Sequence, residues 1–325
     1  MRVCYQQKTH EPAMNLAIEE ALVHAATEDL FMLWMDDPCI VVGRNQNARK
    51  EIDPDFIARR RIPVVRRLSG GGAVYHDHGN LCFTYIELDA KNRQGDHARY
   101  TAPVIAALKR LGVPAELQGR NDIVADGKKI SGNAQYVYKD KMCHHGTLLF
   151  DVDMQALDGA LRADIDAVKG RGIASRGARV TNIISYLPNY TADTLAEALC
   201  ADMLKHMPGA KLYDIPEIIW QKAESIANAR YRNWDWCFGQ SPPYGYAKEA
   251  RFPGGRISLT LSVENGIIQD ALIQGDFLST TDITPMLSAL RGIRHDREAV
   301  GAALSALETS GMLGAVTTDE LLSLV

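Results

Sequence analysis

The chain of 325 residues is 46% hydrophobic and 23% charged, large and apolar enough for a substantial core and for more than one domain. Its 40 acidic and 36 basic residues leave a net charge of −4, which argues against general nucleic-acid binding, and no apolar run reaches the roughly 18 residues of a membrane span. The 6 cysteines form no C-x-x-C pair and read as reduced thiols of a cytoplasmic protein without a zinc site, and the acid-containing start MRVCYQQKTHEPAMNLAIEEAL has no secretory h-region.

Pro12 opens the first predicted helix, with Ile18, Leu22 and Ala25 on one stripe. FMLWM and CIVVGR follow as strand-length apolar runs, parted by the turn signal Asp36, Asp37, Pro38. IPVVRRL and LCFTYIEL are predicted strands on either side of a glycine loop. APVIAALKRLGV is a predicted helix with Val104, Ala107, Leu108 and Leu111 on one face and Gly112 as its stop. DIVADGKKIS, AQYVYKD and HGTLLF read as strands. Residues 169–182 are glycine-rich and basic, show no period and are expected to form a mobile loop. Around GQSPPYGYAKEARF the composition shifts to Pro, Gly and Ser, the mark of a domain boundary. Beyond it GRISLTLSVENGIIQDALIQGDF is a hairpin turning at Asn265-Gly266, and helical patterns fill the rest. The expected class is α/β, with a large first domain over 1–244 and a small second one over 245–325.

The stretch RRLSGGGAVYHDHGN, residues 66–80, carries three consecutive glycines. No G-K-[ST] follows, no G-x-G-x-x-G is present, and the run leads into a strand, so neither a P-loop nor a dinucleotide fingerprint fits. Three bare amides in sequence can form an anion-binding nest. Arg66 and Arg67 enter the turn with alternate sides facing, so one of them can reach that anion bidentately. An anionic ligand is expected here. His76 and His78 are expected as hydrogen-bonded turn residues, and Cys82 and Cys143 as core thiols.

A second stretch, GRNDIVADGKKISGNAQ at 119–135, holds the hairpin signal Asp126-Gly127. A strict two-residue turn pairs Ala125 with Lys128, Val124 with Lys129, Ile123 with Ile130 and Asp122 with Ser131. Alternation then gives one mostly apolar face, with Lys128 at its exposed tip, and a second face gathering Asp122, Val124, Lys129 and Ser131. Lys129 is the lysine placed to meet a phosphate or a carboxylate.

Taken together, RRLSGGGAVYHDHGNLCFT, GRNDIVADGKKISGNA and HHGTLLF resemble lipoate–protein ligases of the A type. The likeness extends over the helix NLAIEEAL and the strand VVGRNQN, is tight over residues 12–185, and also takes in VTNI and WDWCFGQ. It implies an α+β fold of the biotin/lipoate ligase kind, a mixed sheet with flanking helices, and a small α/β C-terminal accessory domain. It implies two steps. Lipoate and ATP, with Mg²⁺, give lipoyl-AMP and pyrophosphate. The lipoyl group then passes to a lysine of an apo-lipoyl domain, in E2 subunits of 2-oxoacid dehydrogenases or in the glycine cleavage H protein. Neither nucleic acid nor a membrane is expected as partner, and a monomer is expected.

The resemblance also assigns residues. Lys129 matches the catalytic lysine, bridging the lipoate carboxyl oxygen and the α-phosphate. Arg67, Gly71, Gly72, Ala73, Val74, Tyr75, Asn80, Asn121 and Asp122 fall on the ATP and lipoyl-AMP side, with Asp122 also the candidate metal ligand. His145 and Gly146 fall on the lipoate side with Lys129. Two other functions use related sequences. An octanoyltransferase would pass acyl groups through a cysteine thioester without ATP, and the extra C-terminal domain argues against it. A non-catalytic lipoyl-protein binder would not need Lys129, Arg67 and the glycine run intact.

Overall fold

The structure, a computed structural model, describes residues 1–161, 168–170, 180–277, 279–309 and 311–325, the side chains of 168–170 excepted. Its strands are β1 (Arg2–Tyr5), β2 (Leu30–Met35), β3 (Cys39–Val42), β4 (Val64–Arg66), β5 (Val74–His76), β6 (Asn80–Glu87), β7 (Ala115–Gln118), β8 (Asp122–Ala125), β9 (Lys128–Tyr138), β10 (Lys141–Leu149), β11 (Val168–Gly170), β12 (Lys211–Leu212), β13 (Tyr244–Phe252), β14 (Gly255–Glu264) and β15 (Ile267–Gly275). The helices are α1 (Pro12–Ala25), α2 (Ala48–Glu51), α3 (Pro54–Arg60), α4 (His97–Arg110), α5 (Met154–Ala160), α6 (Ala192–His206), α7 (Glu217–Ile226), α8 (Trp234–Cys237), α9 (Thr284–Leu290), α10 (Arg297–Ser305) and α11 (Thr318–Leu322).

Every residue of LFMLWM in β2 is buried, and so are all but one of NLCFTYIE in β6. Burial on both faces puts such runs in the middle of a covered sheet. Both lie inside an eight-stranded mixed sheet of order β12-β1-β2-β6-β10-β9-β8-β7. A three-stranded sheet, β4-β3-β5, carries the glycine run between β4 and β5. The main core joins Phe31, Leu33 and Phe83 of the large sheet to Val104 and Leu108 of α4 and to Leu195 and Leu199 of α6. Helix α1 is buried from Pro12 through Val23, including two acids. Each acid has partners: Glu19 meets His145 and Thr84, while Glu20 meets Arg230 and Tyr231 in a five-residue π-helical turn, Ala227–Tyr231.

The chain divides into two compact units. The first takes 1–44, 53–161 and 180–233 of the described residues. The second takes 45–52, 168–170 and 234–325. In the second, Ile257, Leu259, Leu261 and Val263 alternate inward along β14 and pack with β15 and helices α9 to α11 around their own core. Residues 45–52 are tied into this unit by Ala48 N donating to Ser241 Oγ at 3.3 Å and by a hydrogen bond from Arg49 to the His295 carbonyl.

The mixed α/β class, α1, the strands FMLWM, CIVV and LCFTYIE, and the C-terminal hairpin stand as the sequence indicates. Both hairpin turns have the left-handed pairs of a type I′ turn, φ 48° and 70° at Asp126-Gly127 and φ 51° and 73° at Asn265-Gly266. Helix α4 starts at His97, ahead of the predicted stretch, because Asp96 caps it by accepting from Arg99 N at 3.2 Å. KKIS and AQYVY form one continuous strand, β9, since the residues between them stay paired to β8 and β10. Within the predicted loop at 169–182, the described residues 168–170 form a strand paired with β13 and Val180 bridges Lys129; residues 171–179, with Arg171, Arg176 and Arg179, lie outside the described residues.

Candidate active site

The β8–β9 hairpin keeps part of the expected register and departs from the rest. Ala125 pairs with Lys128 and Val124 with Lys129, as a strict turn requires. Past that point a bulge intervenes: Ile123 pairs with Ser131 and Asp122 with Gly132, so the expected pairs Ile123–Ile130 and Asp122–Ser131 do not form. The physical reason lies in the backbone of Lys129. Its carbonyl accepts from Thr181 N at 2.9 Å, and it bridges Val180 in parallel, which draws this part of β9 out of register with β8. Ile123, Ala125 and Ile130 still reach the core. Ser131 leaves the polar group, is fully buried, and accepts from Asn133 Nδ2 at 3.1 Å.

Lys129 and Asp122 nevertheless meet. The ammonium stands 2.8 Å from Asp122 Oδ1, with both side chains partly exposed. A Cβ placed on Gly132 would come within 3.2 Å of Lys129 Nζ, so the glycine gives the lysine room to lie along the strand. Lys128 is exposed at the tip. Beside this pair Asn121 and Asn133 exchange side-chain-to-backbone hydrogen bonds, Asn133 Nδ2 donating to the Asn121 carbonyl at 2.9 Å and Asn121 Nδ2 to the Asn133 carbonyl. Asn133 Oδ1 faces β10, where a Cβ on Gly146 would come within 2.2 Å of it and 2.7 Å of the Phe83 ring. Gly146 is therefore required by close packing.

In the glycine loop both arginines turn inward. Arg66 is fully buried and donates to the carbonyls of Gly43 and Arg44 at 3.0 and 3.2 Å. Arg67 donates to the carbonyls of Val41, Gly70 and Gly72 at 3.0, 2.8 and 2.7 Å and, through Nε, to Ser69 Oγ at 3.0 Å. Burial brings the Arg67 guanidinium down to about 10, against the pull of Glu19 upward, with Arg66 adding to the depression. It still holds its proton at neutral pH. Gly71 has φ +96°, a conformation that suits glycine, and is exposed. A Cβ on Gly43 would strike the Gly71 carbonyl at 2.1 Å, so the loop rests on the end of β3. Ala73 and Tyr75 are buried and Val74 half-buried where β5 pairs with β3. Burial raises the Tyr75 phenol to about 12.

Ser69 links this loop to β10. Its Oγ lies 2.5 Å from His145 Nε2, and His145 Nδ1 lies 2.9 and 3.1 Å from the Glu19 oxygens. The structure thus brings together Arg67 and His145 through Ser69, Lys129 with Asp122, and Asn121 with Gly146 through Asn133. Asn80 sits elsewhere, buried at the head of β6, where Nδ2 donates to Cys82 Sγ at 3.3 Å and Oδ1 has no hydrogen-bond partner among the described residues. His76 and His78 are hydrogen-bonded at 2.8 Å to Asp36 and Asp37.

For a metal, the donor set around Asp122 is a single carboxylate engaged with a lysine. Among the described residues the groups of three candidate ligands are Glu19, Cys143, His145 and Asp36, His76, Cys82, neither of which includes Asp122. One carboxylate fits Mg²⁺ only when phosphate oxygens and water complete the shell. Cys82 and Cys143 are free and buried, and burial pushes both thiols well above their ordinary value. Glu19, Gly43, Ser69 and Asn133 had no role in the sequence reading. The signals for them were two acids inside an apolar helix, a glycine closing CIVVG, and a serine and an asparagine within motifs already quoted.

Comparison with known proteins bears on the whole chain. The family model described as the lipoyl protein ligase A/B catalytic domain matches residues 11–204, and that of the bacterial lipoate protein ligase C-terminus matches residues 241–325. The chain is 38% identical to the lipoate-protein ligase LplJ of Bacillus subtilis, over 98% of each chain. It is 36% identical to lipoate–protein ligase 1 of Staphylococcus aureus, over 97% of each. Among solved structures, P. falciparum LipL1 in complex with lipoate is similar at 26% identity and a TM-score of 0.62, covering 99% of this chain and 96% of that one.

Proposed function

The chain belongs to the lipoate–protein ligase family, and from that premise we propose that it joins lipoate to protein lysines at the expense of ATP, through a lipoyl-AMP intermediate. The observation that carries the reading is the Lys129–Asp122 pair on the β8–β9 hairpin, in a chain alike over nearly its full length to ligases of this name.

In the first step the lipoate carboxylate attacks the α-phosphate of ATP and pyrophosphate leaves. Two anions must approach, so cationic donors that tighten on the developing charge lower the barrier. Lys129 exchanges Asp122 for the carboxyl and α-phosphate oxygens. Asp122, once released, would hold Mg²⁺ together with phosphate oxygens, and the ion would supply further charge neutralisation. The glycine loop, with Gly71, Gly72, Ala73, Val74 and Tyr75, lies along the nucleotide, and Arg67 fixes that backbone from behind through the Gly70 and Gly72 carbonyls. Asn80 and Asn121 belong to the nucleotide side of this reading, and His145 and Gly146 to the lipoate side.

In the second step a lysine amine of an apo-lipoyl domain, in an E2 subunit or an H protein, attacks the acyl carbon. An amide bond forms, the acyl–phosphate bond breaks and AMP departs, with Lys129 stabilising the oxyanion. In this reading residues 1–244 carry the chemistry and 245–325 modulate it; the separate core of β13 to β15 supports a distinct second domain. The protein acts as a cytoplasmic monomer. Thioester transfer through Cys82 or Cys143 is disfavoured, because burial keeps both thiols protonated. The test is to incubate the protein with ATP, Mg²⁺ and lipoate and to measure the intact mass of an apo-lipoyl domain. A lipoyl increment that requires ATP is expected, and an unmodified domain refutes the proposal.

A further inference from the structure

We infer that Glu19 and Ser69 are positioning residues: acting through a neutral His145, they hold Arg67, and with it the glycine loop, in the shape that receives the nucleotide. The inference rests on the ligase reading for the identity of that ligand, and on hydrogen-bond logic for the rest.

All four side chains are buried, with exposures of 3% for Glu19, 0% for Ser69 and 7% each for His145 and Arg67. A guanidinium has donors and no acceptor. Arg67 Nε therefore donates to Ser69 Oγ. Ser69 has one proton, and His145 Nε2 at 2.5 Å is where it goes. Nε2 must then be bare. On the other side of the ring, the ionised Glu19 carboxylate only accepts, so His145 Nδ1 carries the hydrogen that both Glu19 oxygens meet. A protonated ring would present Ser69 with two donors and leave its own buried hydroxyl hydrogen with no acceptor among its hydrogen-bond partners. Only one assignment satisfies every group.

The result is a directed chain from Arg67 through Ser69 and His145 to Glu19. Its positive end follows β4, its negative end lies in α1, and its middle is uncharged. Thr84 Oγ1 donates to Glu19 as well and holds the carboxylate in place. A buried guanidinium without a counter-charge is costly, and Glu19 supplies that charge across two neutral groups. The other Arg67 hydrogens fall on Val41, Gly70 and Gly72 carbonyls, so the orientation set by Ser69 passes directly into the loop backbone.

The experiment uses the full chain. In protein labelled with ¹⁵N-histidine, His145, assigned by the signals lost in His145→Gln, is expected as the neutral Nδ1–H tautomer at pH 7. Ser69→Ala is expected to shift the Nε2 resonance and to raise the KM for ATP in pyrophosphate release about tenfold, with a smaller change in kcat. Ser69→Thr, which restores the hydroxyl, should recover most of both. If Ser69→Ala does not fold, Ser69→Cys, close in volume and a weak donor, takes its place with the same direction of change. A wild-type His145 that is protonated or carries its hydrogen on Nε2 overturns the inference, as does a folded Ser69 variant with an unaltered KM for ATP. A wild-type protein that releases no pyrophosphate with ATP and lipoate refutes the ligase reading instead, and the tautomer measurement still decides the chain.

Discussion

Lys129 Nζ stands 2.8 Å from Asp122 Oδ1, along the stretch of β9 where Gly132 offers no side chain to block it. The candidate catalytic cation therefore has a resident anion, which a substrate carboxyl or phosphate must replace. Its neighbour Lys128 points to solvent. Lys129→Ala should reduce lipoate-dependent pyrophosphate release by about 10²–10³, the usual cost of one donor aimed at developing charge. Lys128→Ala should retain most of the rate. Equal rates in the two variants would remove Lys129 from the chemistry.

The glycine loop makes a contrasting pair. Gly43→Ala forces a methyl into the Gly71 carbonyl, 2.1 Å from its ideal position, whereas a Cβ on Gly70 meets nothing within 4 Å. Gly43→Ala should lower stability by about 1–3 kcal/mol, in the range of overpacked cores, and weaken nucleotide binding as the loop is displaced. Gly70→Ala should stay close to wild type in fold. Urea midpoints and calorimetric titration with a non-hydrolysable lipoyl-AMP analogue distinguish them, and indistinguishable variants would show that the loop does not rest on β3.

Thiol burial sets a dependence on alkaline pH. Burial raises Cys39, Cys82 and Cys143 well above the ordinary 9.0, and raises Cys200 to about 12. The folded chain keeps these protons where the unfolded chain releases them. The corresponding stability is complete below pH 9 and is lost as pH climbs towards the folded values, by about 1.4 kcal/mol per pH unit for each group. Urea midpoints should fall steadily from pH 9 to 11. A flat profile would mean the thiols are not held protonated.

The same burial bears on mechanism. Cys82→Ser and Cys143→Ser should each leave acyl transfer running in a folded protein, because a phosphoric anhydride needs no thiolate. Loss of transfer, together with an acylated cysteine seen by mass spectrometry in the wild type, would favour the thioester route.

Removing residues 245–325 takes away most of the second hydrophobic core and leaves the first, whose buried members run from Val3 to Met203. A chain ending near residue 245 should fold and lose adenylation selectively. Pyrophosphate release and transfer from supplied lipoyl-AMP, measured separately, test this. Matching rates in truncated and full chains would take the tail out of the cycle.

Much of this architecture is legible in the sequence because local chemistry dictates it. Asp126-Gly127 and Asn265-Gly266 can hardly adopt anything but left-handed turns, and two-faced burial announces itself in LFMLWM. The bulge after Val124 is not legible, since it depends on Thr181 taking the Lys129 carbonyl from 52 residues away in the chain. Nor is the chain from Arg67 to Glu19, whose members come from α1, the glycine loop and β10 and meet only in three dimensions. The sequence offers one of Arg66 and Arg67 to an anion, and the family resemblance selects Arg67. In the structure its guanidinium holds its own loop through the Gly70 and Gly72 carbonyls, a contact that no local pattern in the sequence announces.

The second unit recruits residues 45–52 across a long stretch of chain, and the Arg49–His295 hydrogen bond spans 246 residues. During synthesis at about 5–20 residues per second, Arg49 leaves the ribosome roughly 10 to 50 seconds before its partner. For that interval segment 45–52 waits outside any finished core while the helices and strands on both sides of it can already assemble. Residues 45–52 are thus expected to join the second unit only after His295 has emerged, so that this unit is completed later than the core built from the residues on either side of the segment.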